Sequence, residues 1–414
     1  MKQITVIFLA GLAAMFINAC GTDEVTTSVP ESPEPEPPEP ETPITGTLNS
    51  AFGTGGIVVS DGIFGGVNSS EQGQDIVSDD SGNIYVTGFG NGTGSAKDSD
   101  MVIWKYDSTG TPDSTFGTNG VLLSNLASGG IYSDAYGWRI ELDGSGNIYV
   151  VGYAYSNPHY DMVIWKYDNT GAPDNTFGTN GIVVSDGAAG GTNGKDGTGA
   201  IKLDGSGNIF VAGYSISGAG DYDMVILKYD STGTLDNTFG TNGIVVSDGA
   251  SGVANDADDA YMLVLDSSGN IYVTGNSGVY TGGFDGDRVM VIWKYDSTGT
   301  PDSTFDTDGI VVHDGAAGGT DYDTGQDIEL DGSGNIYVTG YSVNSADDED
   351  MVIWKYDSTG ALDTTFGTGG IVVRDESAGG NDHGYGIDLD GSGNLYVTGY
   401  SEQNNGDMVI WNYK

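Results

Sequence analysis

The chain has 414 residues, of which 59 are acidic and 13 are basic, so its formal net charge is −46 at pH 7. This charge excludes nucleic acid as a partner and disfavours adsorption to anionic lipid headgroups, because both surfaces are negative. Seventy glycines and a single cysteine predict a turn-rich domain held together without disulfide bonds.

The first 19 residues have the pattern of a secretory signal peptide. Lys2 precedes an apolar run from Ile4 to Phe16, which is too short to cross a bilayer. The following Ile17-Asn18-Ala19-Cys20 resembles the lipobox of bacterial lipoproteins. The resemblance implies cleavage before Cys20 and attachment of lipid to it. The alternative is an ordinary signal peptide followed by an incidental cysteine.

Residues 20–47 are predicted to be the lipidated cysteine and a disordered tether. Seven of the eleven prolines lie between Pro30 and Pro43, interleaved with glutamate. Such a stretch has nothing to bury and favours extended polyproline II. Gly21 stands where an aspartate would retain a lipoprotein in the inner membrane. We therefore expect an extracytoplasmic, membrane-anchored protein in the outer membrane or at the cell surface.

Residues 48–414 consist of one repeated unit. The phrase Ser-Gly-Asn-(Ile/Leu)-(Tyr/Phe)-Val occurs six times, 59 to 65 residues apart, with its asparagine at Asn83, Asn147, Asn208, Asn270, Asn335 and Asn394. A period of this length indicates a supersecondary element that is completed by its neighbours.

Each unit predicts four strands, and no part of it has helical periodicity. In the fifth unit they cover residues 326–331, 336–341, 350–356 and 370–374, bounded by Gly, Asn and Asp. Four short strands in a radial repeat predict a six-bladed β-propeller of four-stranded blades. The domain begins with a fourth strand, residues 56–60, and ends with a third strand, residues 407–413. We therefore expect the N-terminal strand to pair with the last three and close the ring.

The segments between the third and fourth strands carry a family resemblance. The stretch Tyr106–Gly120 recurs five times with small changes, and its tail, Phe52–Gly56, opens the domain. It resembles the delta-60 repeat of bacterial β-propellers, and the Ser-Gly-Asn hairpins are similar to the related SBBP-type repeat. The resemblance implies the propeller fold and says little about function.

Alternating strands place two kinds of connection on opposite faces of the ring. The connections after the first and third strands are nearly identical in all units, and we call their side the uniform face. Those after the second and fourth strands differ in length and content, and we call their side the variable face. Function is usually carried by loops that differ on a repeated scaffold, so we expect a ligand at the variable face and the channel mouth.

The candidate ligand-face residues are those that break the repeat there: Trp138, Arg139, Arg288 and His383. We identify no catalytic residue, because the three histidines lie in different units and no nucleophile motif is present. The sequence favours a non-enzymatic, monomeric binding or scaffold protein for a protein or glycan partner. Two alternatives remain: a carbohydrate- or ester-active hydrolase or lyase at the channel mouth, and a purely structural or adhesive surface protein.

Charged residues also recur at fixed positions of the unit. Aspartates at strand ends on the variable face predict turn capping, with Ca²⁺ binding as the less favoured interpretation; no other cofactor is expected. Five lysines at one repeat position are expected to pair with aspartates between blades, and the tryptophan before each lysine is expected to serve the packing of the blades. These lysines are Lys105, Lys166, Lys228, Lys294 and Lys355.

Overall fold

The computed structural model describes residues 49–60, 63, 70–91, 99–124, 134–156, 159–191, 194–253, 256–278, 287–376, 379–390, 392–402 and 407–414. The predicted signal peptide, the lipidation site Cys20 and the tether lie outside the described residues. No helix in the described part is long and apolar enough to span a membrane.

All regular structure in the described part is β-strand, because its runs of β-branched and aromatic residues are short and bounded by turn residues. Three sheets have four antiparallel strands each, in sequential order. They contain β1 (Ser70–Ser78), β2 (Ile84–Asn91), β3 (Ser99–Tyr106) and β4 (Val121–Ser124); β5 (Ala135–Leu142), β6 (Ile148–Tyr155), β7 (Tyr160–Tyr167) and β8 (Ile182–Ser185); and β9 (Asp196–Leu203), β10 (Ile209–Ile216), β11 (Tyr222–Tyr229) and β12 (Ile244–Ser247).

The remaining strands form an eight-stranded and a three-stranded sheet. The eight-stranded sheet consists of two antiparallel groups that meet at one parallel pair, Arg288 with Tyr322. Its strands are β13 (Ala257–Leu265), β14 (Ile271–Gly278), β15 (Arg288–Tyr295), β16 (Ile310–His313), β17 (Gly318–Leu330), β18 (Ile336–Asn344), β19 (Glu349–Tyr356) and β20 (Ile371–Arg374). The last sheet contains β21 (Asp382–Leu389), β22 (Leu395–Ser401) and β23 (Asp407–Tyr413). The prediction of an all-β propeller is confirmed.

The described sheets differ in two respects from the six separate four-stranded blades that the sequence predicts. Two groups of four strands are joined into the eight-stranded sheet, and the last sheet has three strands. Residues 56–60 belong to no sheet, and β23 pairs only with β22. The expected pairing of this N-terminal segment with β23 is therefore absent from the structure.

The hydrophobic core lies between neighbouring sheets rather than inside any one of them. Met101 and Ile103 of β3, for example, pack against Ile140 of β5 and Val150 of β6. The repeated tryptophans belong to this layer, as predicted: Trp104, Trp165, Trp293, Trp354 and Trp411 are all buried. Burial of such large side chains between sheets is the main stabilisation available to a fold with no disulfide bond.

The five repeated lysines form ion pairs, but with a different partner from the one expected. Lys294 Nζ lies 3.0 Å from Asp302, eight residues further along the same unit. Its link to the next unit is a hydrogen bond to the Ser358 carbonyl, at 3.3 Å. The same ion pair recurs at Lys105, Lys166, Lys228 and Lys355. The tight turn between the third and fourth strands folds the aspartate back onto the lysine, which makes the pair local.

The aspartates of the uniform face act in turns, as the sequence suggests. In the hairpin between β9 and β10, Asp204 Oδ1 accepts hydrogen bonds from the backbone N–H groups of Ser206 and Asn208, at 2.8 and 2.9 Å. Its other oxygen accepts from the Asn208 side chain at 2.7 Å. These bonds satisfy the turn backbone and explain why the Asp and Asn recur together.

Candidate functional site in the central channel

A cavity of about 770 Å³ lies in the centre of the molecule. The first strand of every unit contributes to its wall, namely β1, β5, β9, β13, β17 and β21. Two tyrosines of the second strands, Tyr153 and Tyr214, also line it. A volume of this size is typical of a site for a small organic ligand.

Each of the six channel-lining strands contains a β-bulge at the same position of the repeat. A bulge inserts one unpaired residue and turns its side chain in a new direction. Here the inserted residue lines the cavity in every unit. The six residues are Gln74, Trp138, Gly199, Tyr261, Gln326 and Tyr385.

The bulge depends on a glycine in the partner strand. A Cβ on Gly152 would lie 1.7 Å from the Tyr136 carbonyl oxygen, so no other residue fits there. The equivalent glycine recurs in the Val-Thr-Gly, Val-Val-Gly and Val-Ala-Gly sequences of the second strands. An isolated glycine inside a strand indicates a bulge or a close approach of backbones. This glycine is a signal in the sequence that could have indicated the bulge in the paired strand.

Two of the predicted ligand-face residues, Trp138 and Arg139, line the cavity. All six tryptophans lie in the described part of the chain, and Trp138 is the one that is not buried. Arg139 Nη1 donates a hydrogen bond to the Trp138 carbonyl at 3.4 Å, whereas its Nε is buried and has no hydrogen-bond partner. The guanidinium therefore retains hydrogen-bonding capacity for a ligand.

An aromatic cluster extends from Trp138 toward the variable face. The Trp138 ring lies 6.1 Å from that of Tyr153, which lies 5.0 Å from Tyr136 and 5.3 Å from Tyr160. Phe89 of the neighbouring sheet contacts Tyr136 at 4.8 Å. Sequence reasoning singled out only the tryptophan, because tyrosines are too frequent in this chain to be informative singly.

Two carboxylates occupy equivalent positions next to the bulges. Asp75 and Asp327 each accept a backbone hydrogen bond from the following unit, Asp75 from Ile140 at 2.9 Å and Asp327 from Ile387 at 2.8 Å. Burial raises the pKa of Asp327 to about 6, although Arg139 and Lys202 act in the opposite direction. Asp327 therefore takes up a proton in mildly acidic solution while its backbone contacts hold it in place.

His383, the third predicted residue, is connected to the channel through a tyrosine. Its Nε2 lies 2.6 Å from Glu349 Oε2, and its Nδ1 lies 2.9 Å from the hydroxyl of Tyr385, which lines the cavity. The imidazole also stacks on Tyr341 with centroids 4.1 Å apart. Burial, followed by the charge of Glu349, raises the pKa of Tyr385. A carboxylate, an imidazole and a phenol thus form one chain at the channel mouth.

Arg288, the fourth predicted residue, lies inside the protein. Its Nη1 donates to Asp259 Oδ2 at 2.7 Å and to the side-chain amide oxygen of Asn276 at 2.8 Å. Asn276 in turn donates to the hydroxyls of Tyr261 and Tyr322, at 3.2 and 3.3 Å. The sequence placed Arg288 on a variable loop edge, but a buried guanidinium needs a buried carboxylate, and Asp259 supplies it. Its role is to hold Tyr261, which lines the cavity.

Comparison with known proteins is consistent with this fold. Residues 143–177, 205–239 and 332–366 match the family model described as "Domain of unknown function (DUF5122) beta-propeller". This protein is a β-propeller repeat protein. No curated protein sequence matches it.

Several solved structures align with most of this chain at low sequence identity and low TM-score. A protein of unknown function from Dyadobacter fermentans DSM 18053 is 13% identical over 83% of this chain and 94% of that one, with a TM-score of 0.42. An ulvan lyase of polysaccharide lyase family PL25 is 14% identical over 82% and 77%, also with a TM-score of 0.42. An exo-1,5-alpha-L-arabinanase from a bovine ruminal metagenomic library is 8% identical over 84% and 95%, with a TM-score of 0.34. At these values the similarity carries no information about substrate.

Proposed function

We propose that this propeller is a non-enzymatic glycan-binding protein of the cell envelope and that the central channel is its binding site. The observation that carries the proposal is the aromatic cluster that leads from the variable face to Trp138 inside the cavity. Aromatic faces stack on the apolar C–H faces of sugar rings, and tyrosine and tryptophan supply this area at a low cost in entropy.

The polar groups around Trp138 suit sugar hydroxyls. Arg139 has an unpartnered Nε, and the bulged Gln74 and Gln326 place amides at two separate positions of the wall. Carboxylates and amides accept hydrogen bonds from hydroxyls, while the guanidinium donates. The mixed charges of the wall favour an uncharged or weakly charged glycan over a strongly anionic one.

Trp138 gives this proposal a direct test. The other five tryptophans are buried, so a glycan that enters the channel should change the intrinsic fluorescence mainly through Trp138. Glycans selected on an array would be titrated against the wild type, Trp138→Ala and Trp138→Phe. We expect the alanine variant to weaken binding at least tenfold and the phenylalanine variant to retain part of it, with thermal unfolding unchanged. Equal affinity in all three proteins would exclude the channel as the site.

A second function, a glycan-cleaving hydrolase or lyase, is favoured by the chain formed by Glu349, His383 and Tyr385. A phenol held by an imidazole can exchange a proton with a substrate, and the carboxylate would stabilise the imidazolium. The discriminating measurement is product formation from a bound glycan, by chromatography. Turnover that His383→Gln and Tyr385→Phe abolish, with binding retained, would establish the enzyme; binding without turnover in the wild type supports the first function.

We further propose six blades, with the ring closed by residues 56–60 as the fourth strand of the last blade. Trp104 Nε1 donates to Ser60 at 3.0 Å, and in the equivalent place Trp293 Nε1 donates to Ser247, the last residue of β12, at 3.1 Å. Residues 56–60 thus already contact the first sheet as the fourth strand of a preceding blade would.

The exposed apolar side chains at both ends support the same closure. Ile76 of β1 is 65% exposed, and Met408 and Ile410 of β23 are 75% and 60% exposed. Their counterparts in the other units, such as Ile140, Met101 and Ile103, are buried between sheets. Joining the two ends would bury all three side chains.

A cross-link tests this closure. By the register of β3 with β4, Val59 should face Val409 across the last blade. A protein carrying Val59→Cys, Val409→Cys and Cys20→Ser should form an intramolecular disulfide on mild oxidation, since facing strands bring Cα atoms within bonding range. The matched control pairs Val59→Cys with Asp407→Cys, two positions further along. Equal cross-linking of both pairs, or of neither, would contradict the closure. Deletion of residues 48–62 should also lower the melting temperature.

The N-terminal segment completes the proposal with an anchor. We expect lipid on Cys20, the tether of residues 20–47 between membrane and propeller, and exposure on the outer membrane or cell surface. Cys20→Ser should release the protein from the membrane fraction, and metabolic labelling with a radioactive fatty acid should fail in that variant. Labelling that survives the substitution would rule out this anchor.

A further inference from the structure

Two groups of three aspartates lie on the variable face, outside the channel. The first combines Asp161 at the start of β7, Asp186 after β8 and Asp196 at the start of β9. In each group the carboxylate oxygens lie within 4.8 Å of one another. The second group consists of Asp221, Asp223 and Asp248.

The two groups share two positions of the repeat. Asp223 begins the third strand of its unit as Asp161 does, and Asp248 follows the fourth strand as Asp186 does. The third carboxylate differs. Asp196 comes from the neighbouring sheet, whereas Asp221 comes from the turn before β11, where it is held by a hydrogen bond from the Ser217 hydroxyl.

Several of these oxygens are buried and have no partner. Asp196 is 1% exposed and Asp223 is 5% exposed. Oδ1 of each, and Oδ2 of Asp221, are shielded from solvent without any hydrogen bond. A buried carboxylate oxygen without a donor costs free energy, so its persistence needs a ligand or a proton.

The charges that act most strongly on Asp196 and Asp223 are all negative. Asp196 is surrounded by Asp186 and Asp161, and the strongest charges acting on Asp223 are those of Asp221, Asp248 and Asp258. Burial and these like charges raise the pKa of Asp223 to about 7. In the first group the Gly187 N–H donates to Oδ2 of Asp196 at 2.9 Å, and Oδ1 of the same carboxylate is buried without a hydrogen-bond partner.

We propose that each group binds a calcium ion, with the unpartnered oxygens of Asp196, Asp221 and Asp223 among its ligands. Ca²⁺ takes six to eight oxygen ligands at roughly 2.3–2.6 Å, and oxygens around one such ion lie as far apart as these do. Further coordination comes from water or backbone carbonyls. Mg²⁺ fits less well, because it requires a nearly ideal octahedron and releases its water reluctantly. The ion of the first group joins two neighbouring sheets.

The next unit supplies an internal comparison. At the third-strand position it has Val289 in place of Asp161 and Asp223, although Asp314 and Asp323 keep the other two positions. Asp323 there accepts hydrogen bonds from Gly315 and Ala316, at 2.7 and 3.4 Å. We therefore infer that this boundary binds no calcium because one carboxylate is missing.

Calorimetric titration of the metal-free protein with calcium chloride, in excess magnesium chloride, tests the proposal. We expect two saturable sites in the wild type and one in either Asp196→Asn or Asp223→Asn. The matched control is Asp314→Asn, an equivalent surface carboxylate at the boundary with Val289, which should keep both sites. Val289→Asp should add a third. No saturable binding, or equal stoichiometry in all variants, would overturn the proposal and leave only diffuse attraction to an acidic surface.

Thermal unfolding gives a second test, because the loss of one carboxylate should raise the melting temperature of the metal-free protein. Asp223→Asn removes a repelled charge without changing shape, so the metal-free variant should melt at a higher temperature than the metal-free wild type. Calcium should then raise the melting temperature of the wild type and raise that of the variant less, since one site is gone. A variant that is destabilised without metal and gains as much from calcium as the wild type would contradict the assignment. The outcome does not depend on what the channel binds.

Discussion

The contacts between neighbouring sheets and the wall of the channel are built from the same repeated strands, but only the contacts between sheets are uniform. Between the sheets, tryptophan and methionine recur in nearly every unit, and the local lysine–aspartate pair recurs beside them. In the channel, equivalent bulges present glutamine, tryptophan, glycine or tyrosine. Side chains packed against another copy must fit it, whereas side chains that face the open channel have no such constraint.

The tryptophans should show this difference most strongly. Trp293→Ala removes a fully buried side chain, so we expect a loss of about 3–5 kcal/mol in the free energy of unfolding. Trp138→Ala should lose less than about 1 kcal/mol, because its ring is only partly covered. Urea unfolding of both variants measures this. Similar losses would mean that Trp138 is a packing residue like the others.

Substitutions of the two arginines predicted from the sequence should differ in their effect on stability in the same way. Arg288→Met leaves Asp259 buried without its partner, and we expect a loss of about 3 kcal/mol in the free energy of unfolding. Arg139→Met should change the free energy of unfolding by less than about 1 kcal/mol but weaken the binding of the ligand. The double variant Arg288→Met, Asp259→Asn should recover part of the loss, as monitored by urea unfolding. A lack of recovery would show that the pair is not the cause.

The repeated ion pairs should have a smaller effect. Lys294→Met removes the contacts with Asp302 and the Ser358 carbonyl, and we expect a loss of about 1–2 kcal/mol. The control is Lys202→Met, whose side chain is 37% exposed and 3.5 Å from Glu141, with an expected loss of less than about 1 kcal/mol. Thermal unfolding would compare the stability losses of the two variants. A larger loss in Lys202→Met than in Lys294→Met would contradict the stabilising role of the repeated lysines.

The smallest expected effect is on the pH dependence of stability, which should fall on both sides of an intermediate pH. Hydrogen bonds from a threonine and a lysine lower the pKa of four aspartates to about 2, below the value in the unfolded chain. The stabilisation that these carboxylates provide is therefore lost as pH falls from about 4 toward 2. The four residues are Asp113, Asp236, Asp302 and Asp363. Burial raises the pKa of Asp223 to about 7 and of Asp258 to about 6, so stability should decline as pH rises from about 4 to 7.

Urea unfolding measured with a metal chelator across this pH range should therefore show the highest free energy of unfolding near pH 4. Asp223→Asn should flatten the upper slope and leave the lower slope unchanged. A flat profile from pH 4 to 7 in the wild type would remove the evidence that these carboxylates are repelled in the folded state.

Sequence reasoning located the strands well and the site only in part. Strand alternation and turn residues predicted the units closely, for instance residues 336–341 against β18 (Ile336–Asn344). Trp138 and Arg139 were chosen because they break the repeat, and both line the cavity. Arg288 was chosen for the same reason but lies in a buried network with Asp259 and Asn276, because an irregular residue can also serve the interior of the protein. The contact of His383 with Glu349 could not be predicted, because it joins residues of two different sheets.

The sequence alone determined the repeat, the strand content and the excess of acid, since period, turn chemistry and charge are local properties of the chain. Only the tertiary structure decided which side chains face the channel, because a bulge of one residue changes the direction of each first strand. It also decided which aspartates meet. Asp161, Asp186 and Asp196 are spread over 35 residues of chain, and the packing of β9 against the preceding sheet brings their oxygens together.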